Sequence, residues 1–306
     1  MRHYASSNNG FIEIADASGD GWINVDCPDM EELKVLTGNL GVPSSFISDI
    51  ADVDERPRVD READWTITIL RIPAKGHEQD VPYVTVPIGV ICHENLIITL
   101  CFRTNDVIDY FIDYTRQRGV SIDNRPDFIL HLIYSASFWY LKYLQDINRD
   151  VAQAEGNMVR TVKNGELIRL MRMQKTLVYF NTSLRGNEMM LEHLQRLYDG
   201  QYNVDLLEDV DIELKQAINT VNIYTDILES TMDALGSVIS NNVNAVMKRM
   251  TATSIILMVP TLIASFYGMN VDIGLADIHG AFMGIIVLSL LLTIIVLLWL
   301  KRIKWF

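Results

Sequence analysis

Residues 250–300 read MTATSIILMVPTLIASFYGMNVDIGLADIHGAFMGIIVLSLLLTIIVLLWL, and Asp272 and Asp277 are the only charged side chains from Thr251 to Leu300. The run Ala281–Leu300 carries no charge at all. About 20 apolar residues in a helix cross the roughly 30 Å of bilayer hydrocarbon, so this run predicts a membrane span. Met250–Tyr267 is less apolar, yet its length also falls in the spanning range of about 17–25 residues. The chain is therefore expected to carry two membrane helices joined by a short loop. Lys248 and Arg249 precede the first span, Lys301, Arg302 and Lys304 follow the second, and the loop has neither Lys nor Arg. Because Lys and Arg favour the cytoplasmic flank, both termini are expected in the cytoplasm of a plasma (inner) membrane protein and the loop outside. Trp299 and Trp305 suit either an interfacial anchor or a plain apolar surface. The amino terminus, MRHYASSNNGFIEI, lacks the basic-then-apolar order of a secretory signal, so the bulk of the chain is expected to stay where it is made.

The formal net charge is −13, and the excess of acids lies entirely ahead of Lys248. Such a surface repels nucleic acid and anionic lipid and draws cations, although solubility alone also accounts for it. Cys27, Cys92 and Cys101 show neither paired nor metal-ligand spacing and read as reduced thiols. The six histidines show no paired ligand spacing, and the sequence has no nucleophile elbow, phosphate loop or HExxH. An enzyme is not expected, nor is an organic cofactor.

Seven of the eight prolines lie at or before Pro126, and none follows until Pro260. This divides the part ahead of the membrane into a mixed region and an all-helical one. In the first, Trp65–Leu70 (WTITIL), Tyr83–Val86 and Leu96–Cys101 read as strands, with His93-Glu94-Asn95 as a hairpin turn. Met30–Leu40 and Asp106–Gln117 read as helices, which makes a small domain of the α+β class. After Pro126 the turn signals Lys163-Asn164-Gly165 and Asp199-Gly200 delimit long helices at about 127–161, 166–198 and from Val204 onward. Apolar positions from Leu207 to Met250 recur every three or four residues with no breaker before the first span. One helix running from cytoplasm into bilayer is expected, with a break near Asn241-Asn242 as the competing reading.

The 3.5-residue spacing of packed parallel helices selects Asn244, Met247, Thr251, Ser254, Met258, Thr261, Ser265 and Gly268. All are polar, small or methionine. The other side carries Ile255, Ile256, Val259, Leu262, Ile263 and Phe266, suited to lipid or the second span. Small residues that let helices approach and hydroxyls that line water explain the stripe equally well from periodicity alone. One hairpin cannot enclose water, so the second explanation requires several copies around an axis. Pro260 removes one helix hydrogen bond and is expected to bend the helix at most.

At the mouth of this helix stands Tyr267-Gly268-Met269-Asn270. Here the sequence resembles the CorA family of two-span magnesium transporters, whose signature is Gly-Met-Asn at the end of the first of two spans, ahead of a basic tail such as Lys301-Arg302-Ile303-Lys304-Trp305. The resemblance covers the whole chain in architecture. It implies an α+β cytoplasmic domain (1–124), a long-helix stalk or funnel (125–249), a pore-lining span (250–268), an external loop (269–280), a second span (281–300) and a basic tail (301–306), assembled as a homopentameric ring. It implies a Mg²⁺ channel, with Co²⁺ and Ni²⁺ as further candidates, driven by membrane potential and gated by cytoplasmic Mg²⁺. A Zn²⁺ transporter of the related two-span branch and a non-conducting, membrane-tethered cation sensor are the alternatives.

By resemblance the family's pore positions fall on Asn244, Met247, Met250, Met258 and Thr261, and the selectivity filter on Gly268, Met269 and Asn270. Asn270 next to Gly268 also reads as a simple helix cap. Ser48-Asp49-Ile50, followed by Asp54-Glu55-Arg56-Pro57-Arg58, looks like the family's acidic segment before an Arg-Pro-basic turn, and Glu208-Asp209-Val210-Asp211 like the acidic start of its pore helix. The resemblance thus makes Asp49 and a neighbouring copy's Asp209 the regulatory Mg²⁺ ligands. The outer loop departs from the family's Met-Pro-Glu cluster; Asp272 and Asp277 are left to attract the cation, and His279 admits a softer ion.

Overall fold

The computed structural model describes residues 1–7, 10–15, 21–76, 81–118, 124–160, 164–269, 280–303 and 305. They divide into two compact units, Met1–Met232 and Asp233–Phe306. In the first, seven strands form one mixed sheet: β1 (Arg2–Ser7), β2 (Gly10–Ile14), β3 (Gly21–Asp26), β4 (Arg58–Glu62), β5 (Trp65–Lys75), β6 (Tyr83–His93) and β7 (Leu96–Cys101), in the order β2-β1-β3-β7-β6-β5-β4. Only β3 and β7 run parallel, with Gly21 opposite Leu96 and Asp26 opposite Cys101. The β6–β7 hairpin turns through Glu94 and Asn95, and Glu94 takes a left-handed φ of 44°.

Strand alternation sends Ile67, Ile69, Ile91, Ile98 and Leu100 to one face. There they bury against Leu36, Phe46 and Ile50 of the short helical segments α1 (Met30–Lys34), a π-helical turn (Val35–Asn39) and α2 (Ser44–Ala51). Asp29 caps α1 and closes a capping box with Glu32. α2 lies so close to β6 that a Cβ on Gly89 would fall 2.2 Å from Ile50 Cδ1. On the other face, Phe11 and Trp22 meet Phe111 of α3 (Val107–Arg118) and Phe128 of α4 (Arg125–Arg160), with Tyr4 stacked on Trp22; the Phe111 and Phe128 rings stand 5.4 Å from Trp22. Trp22 Nε1 donates to Thr99 Oγ1 at 3.0 Å, and that hydroxyl donates to Asn24 at 2.7 Å, so these three buried polar side chains are paired with one another.

β5 and β6 are longer than WTITIL and Tyr83–Val86 suggest, because each runs on through a proline, Pro73 and Pro87. Both prolines lie where the strand has a neighbour on one side only: β4 pairs with β5 no further than Ile69, and β7 pairs with β6 only from Gly89 onward. Beyond Ile69 the open side of β5 is taken over by α5 (Asn164–Tyr198), whose Asn187 bonds the Arg71 main chain.

α6 runs unbroken from Val204 to Tyr267, through Asn241-Asn242 and Pro260, and the boundary between the two units falls inside it. The second unit holds its carboxy-terminal part and α7 (Ala281–Arg302), with Lys301 and Arg302 in the last turn beside the unpaired helix carbonyls. These are two helices long and apolar enough to cross a membrane.

Candidate functional site

Within the second unit, α6 is covered only along part of one side of the span, and from Asn241 to Thr251 every position is exposed. Ala252 is buried, and Ile255, Ile256, Val259, Pro260 and Ile263 are partly covered. Asn244, Met247, Thr251, Ser254, Met258, Thr261, Ser265 and Gly268 are all exposed, as is Met250, which lies just off that stripe. Leu262 and Phe266, read from sequence as part of the covered side, are exposed at 55% and 58%.

Two of the stripe's hydroxyls, on Ser254 and Thr261, are oriented by their own helix. Ser254 donates to the Met250 carbonyl at 3.0 Å, and Thr261 donates to the Leu257 carbonyl at 2.8 Å. A hydroxyl has one hydrogen, so each of these oxygens keeps only lone pairs for anything beyond the helix. At the end of α6 the Gly268 N–H bonds the carbonyls of Ala264 and Ser265 at 2.9 and 3.2 Å. Gly268 does not take a positive φ. A Cβ on it would meet nothing closer than the Ala264 carbonyl at 3.4 Å, so among the described residues neither the backbone nor the packing demands glycine there. Asn270, Asp272, Asp277 and His279 lie outside the described residues.

In the first unit, Asp49 sits on α2 next to Ile50, the residue that seats the helix against Gly89. Its Oδ2 accepts a bond from Arg58 Nη2 at 2.7 Å. The same guanidinium pairs with Glu55 and lies 3.8 Å from Asp60, so three carboxylates converge on one cation. Arg58 opens β4, its backbone opposite Ile69. The preceding Pro57 ring lies against Gly186 of α5, where a Cβ would come within 2.9 Å of it. Arg71 fastens this turn from the other side, donating to the carbonyls of Val53 at 2.7 Å and Glu55 at 2.9 Å. Sequence reasoning missed the role of Arg71; its one local signal is a lone arginine in an apolar strand.

Asp209 lies in an early turn of α6, exposed, with no ion-pair partner among the described residues. Burial pushes the phenols of Tyr114 and Tyr134 up, and Asp209 adds to that push electrostatically. The chain brings Asp49 to Arg58 rather than to Asp209, and among the described residues no three His, Cys, Asp or Glu side chains gather as a metal site. Asp49 Oδ1 accepts no bond among the described residues, so one carboxylate oxygen remains able to take a water of a hydrated cation.

A family model described as CorA-like Mg²⁺ transporter protein matches residues 20–302. The cobalt/magnesium transport protein CorA of Methanocaldococcus jannaschii is 26% identical over 255 residues, covering 81% of this chain and 79% of that protein. The protein of the same description from Thermotoga maritima is 24% identical over 306 residues, covering 96% of this chain and 86% of its own length. The complete structure of the CorA magnesium transporter from M. jannaschii matches with a TM-score of 0.81 at 23% identity, over 100% of this chain and 98% of that one.

Proposed function

The chain belongs to the CorA-like Mg²⁺ transporter family, and from that membership we propose that copies of it form a pentameric ring that conducts Mg²⁺, and Co²⁺ as a second cargo, through a pore lined by α6. The observation that carries this reading is the bare stripe Asn244, Met247, Thr251, Ser254, Met258, Thr261 and Ser265, a continuous polar and thioether edge on an otherwise apolar membrane helix. Polar groups facing hydrocarbon are costly, and a shared aqueous axis removes that cost. Gly268 supports the same reading: the described residues of one chain leave space for a side chain there, whereas copies converging at a pore mouth leave none.

Mg²⁺ holds its octahedral water shell tightly, so the entrance takes the hydrated ion by its outer waters. In the ring, the Gly268 carbonyls and the Asn270 amide oxygens accept hydrogen bonds from that shell, with Met269 between them. Asp272 and Asp277 draw cations to the mouth. Further in, the oxygens of Ser254 and Thr261 accept from the same waters, while Met247, Met250 and Met258 form apolar constrictions that close by dewetting. A doubly charged ion gains about 4.6 kcal/mol per 100 mV of inside-negative potential, so influx needs no other fuel. On the cytoplasmic side, Asp49 of one copy and Asp209 of its neighbour hold a hydrated Mg²⁺ that screens their repulsion and keeps the ring closed.

Ion uptake into liposomes containing the full chain tests the reading, with Mg²⁺, Co²⁺ and Zn²⁺ compared. Potential-driven Mg²⁺ uptake that Asn270→Ala abolishes is expected. Absence of uptake would reduce the chain to a tethered sensor, and Zn²⁺ uptake in preference to Mg²⁺ would move it to the other branch. For the gate, Asp49→Asn with Asp209→Asn is expected to leave uptake running at high internal Mg²⁺.

A further inference from the structure

We propose that Arg58 is a tethered cation that competes with Mg²⁺ for Asp49 and so sets the cytoplasmic Mg²⁺ level at which the ring closes; this rests on the regulatory reading of Asp49. The guanidinium sits 2.7 Å from Asp49 Oδ2 and also engages Glu55 and Asp60. One positive charge among three carboxylates leaves the cluster net negative, so it still attracts a divalent ion while its most direct seat is taken.

The competitor is held in place from several directions. The Arg58 backbone is paired with β5, the Pro57 ring is wedged on Gly186, and Arg71 holds the carbonyls of Val53 and Glu55. Its target is equally fixed, because Ile50 locks α2 onto Gly89. Mg²⁺ approaching Asp49 must therefore share the carboxylate with a cation that cannot drift away, taking Oδ1 through water or displacing the Oδ2 bond. A guanidinium keeps its charge at any physiological pH, so the competition is constant. When Mg²⁺ leaves, Arg58 still pairs with Asp49, so that carboxylate is never left without a cation.

The test measures Mg²⁺ influx into liposomes holding the full chain as internal Mg²⁺ is varied, with Mg²⁺-dependent protection from protease as an independent readout of binding. Arg58→Gln keeps a hydrogen-bond donor and removes the charge. It is expected to lower the half-inhibitory Mg²⁺ concentration roughly fivefold, the effect of one unit charge on a divalent ion about 8 Å away in water. Arg58→Lys keeps the charge without the fork and is expected to stay near the parent value; a purely structural fork would make Lys behave like Gln. In an Asp49→Asn background the Arg58→Gln shift should vanish. Inhibition that is unchanged or weakened in Arg58→Gln, while Asp49→Asn relieves inhibition, overturns the role of Arg58 and leaves the regulatory site standing. Inhibition untouched by Asp49→Asn overturns the regulatory reading itself. Should Arg58→Gln fail to fold, the comparison of Arg58→Lys with the parent decides: a large shift of either sign overturns the proposal.

Discussion

Asn187 brackets the main chain of Arg71: the Arg71 N–H donates to Asn187 Oδ1 at 2.9 Å, and Asn187 Nδ2 donates to the Arg71 carbonyl at 2.8 Å. A buried side-chain amide from a helix thereby stands in for the strand that β4 fails to supply beyond Ile69. Asn187→Ala leaves the Arg71 N–H without its partner, and a buried unsatisfied donor costs about 1–3 kcal/mol. Unfolding of the detergent-solubilised full chain, followed by intrinsic fluorescence, should show a loss in that range. Asn187→Asp should do no better: its carboxylate regains the N–H bond but is buried and faces the Arg71 carbonyl, which the Tyr140 hydroxyl still serves at 3.0 Å.

Gly89 is the point where α2 touches the sheet. Gly89→Ala places a methyl where Ile50 Cδ1 now lies, an overpacking that costs about 1–3 kcal/mol. Shortening the opposing side chain in the double variant with Ile50→Val should return part of that loss. Thermal melts of the single and double variants check it, and additive losses would refute the contact.

His131 supplies a pH dependence. Burial, opposed by Asp127 and aided by Arg118, drops its imidazole from 6.5 to about 4, and the ring lies 5.8 Å from that of Tyr114. The unfolded chain takes up a proton between those values that the folded chain refuses. Stability is therefore full above about pH 6.5 and falls on acidification toward pH 4, by on the order of 3 kcal/mol. His131→Leu should flatten that part of the profile, as measured by unfolding across the pH range.

The pore can be mapped with thiols. Burial raises Cys92 and Cys101 to about 12, so only the exposed Cys27 needs removal to give a quiet background. In Cys27→Ser, a charged, water-soluble thiol reagent should block most Mg²⁺ influx through Thr261→Cys or Met258→Cys and spare Ile263→Cys. Block at Ile263→Cys alone would put the aqueous side of α6 on the wrong face.

The long helices were legible in the sequence because proline-free, periodic runs between Asn-Gly and Asp-Gly breaks leave few alternatives, and α6 proved continuous where a break at Asn241-Asn242 competed. The stripe could be read because a regular spacing survives without knowledge of neighbours. The sheet was half legible. WTITIL and LIITLC announce themselves, but β1 (RHYASS) and the charged edge strand β4 (RVDRE) are poor in apolar residues and owe their state to pairing. Pro73 and Pro87 hid the extent of β5 and β6, since nothing local reveals that a strand outruns its neighbour. The pairing of Asp49 with Arg58 was hidden for a similar reason: it depends on β4 lying beside the end of α2, a tertiary fact. Arg58 stood in the quoted motif without its partner being apparent.

The inward bonds of Ser254 and Thr261 bear on which ions the proposed channel turns away. With each hydroxyl hydrogen already engaged by the main chain, these rings present electron pairs and nothing else. Chloride arriving at either level finds no hydroxyl donor to replace a lost water, whereas the outward protons of a hydrated cation find acceptors. These two levels can thus tell the sign of an ion without bearing any charge of their own.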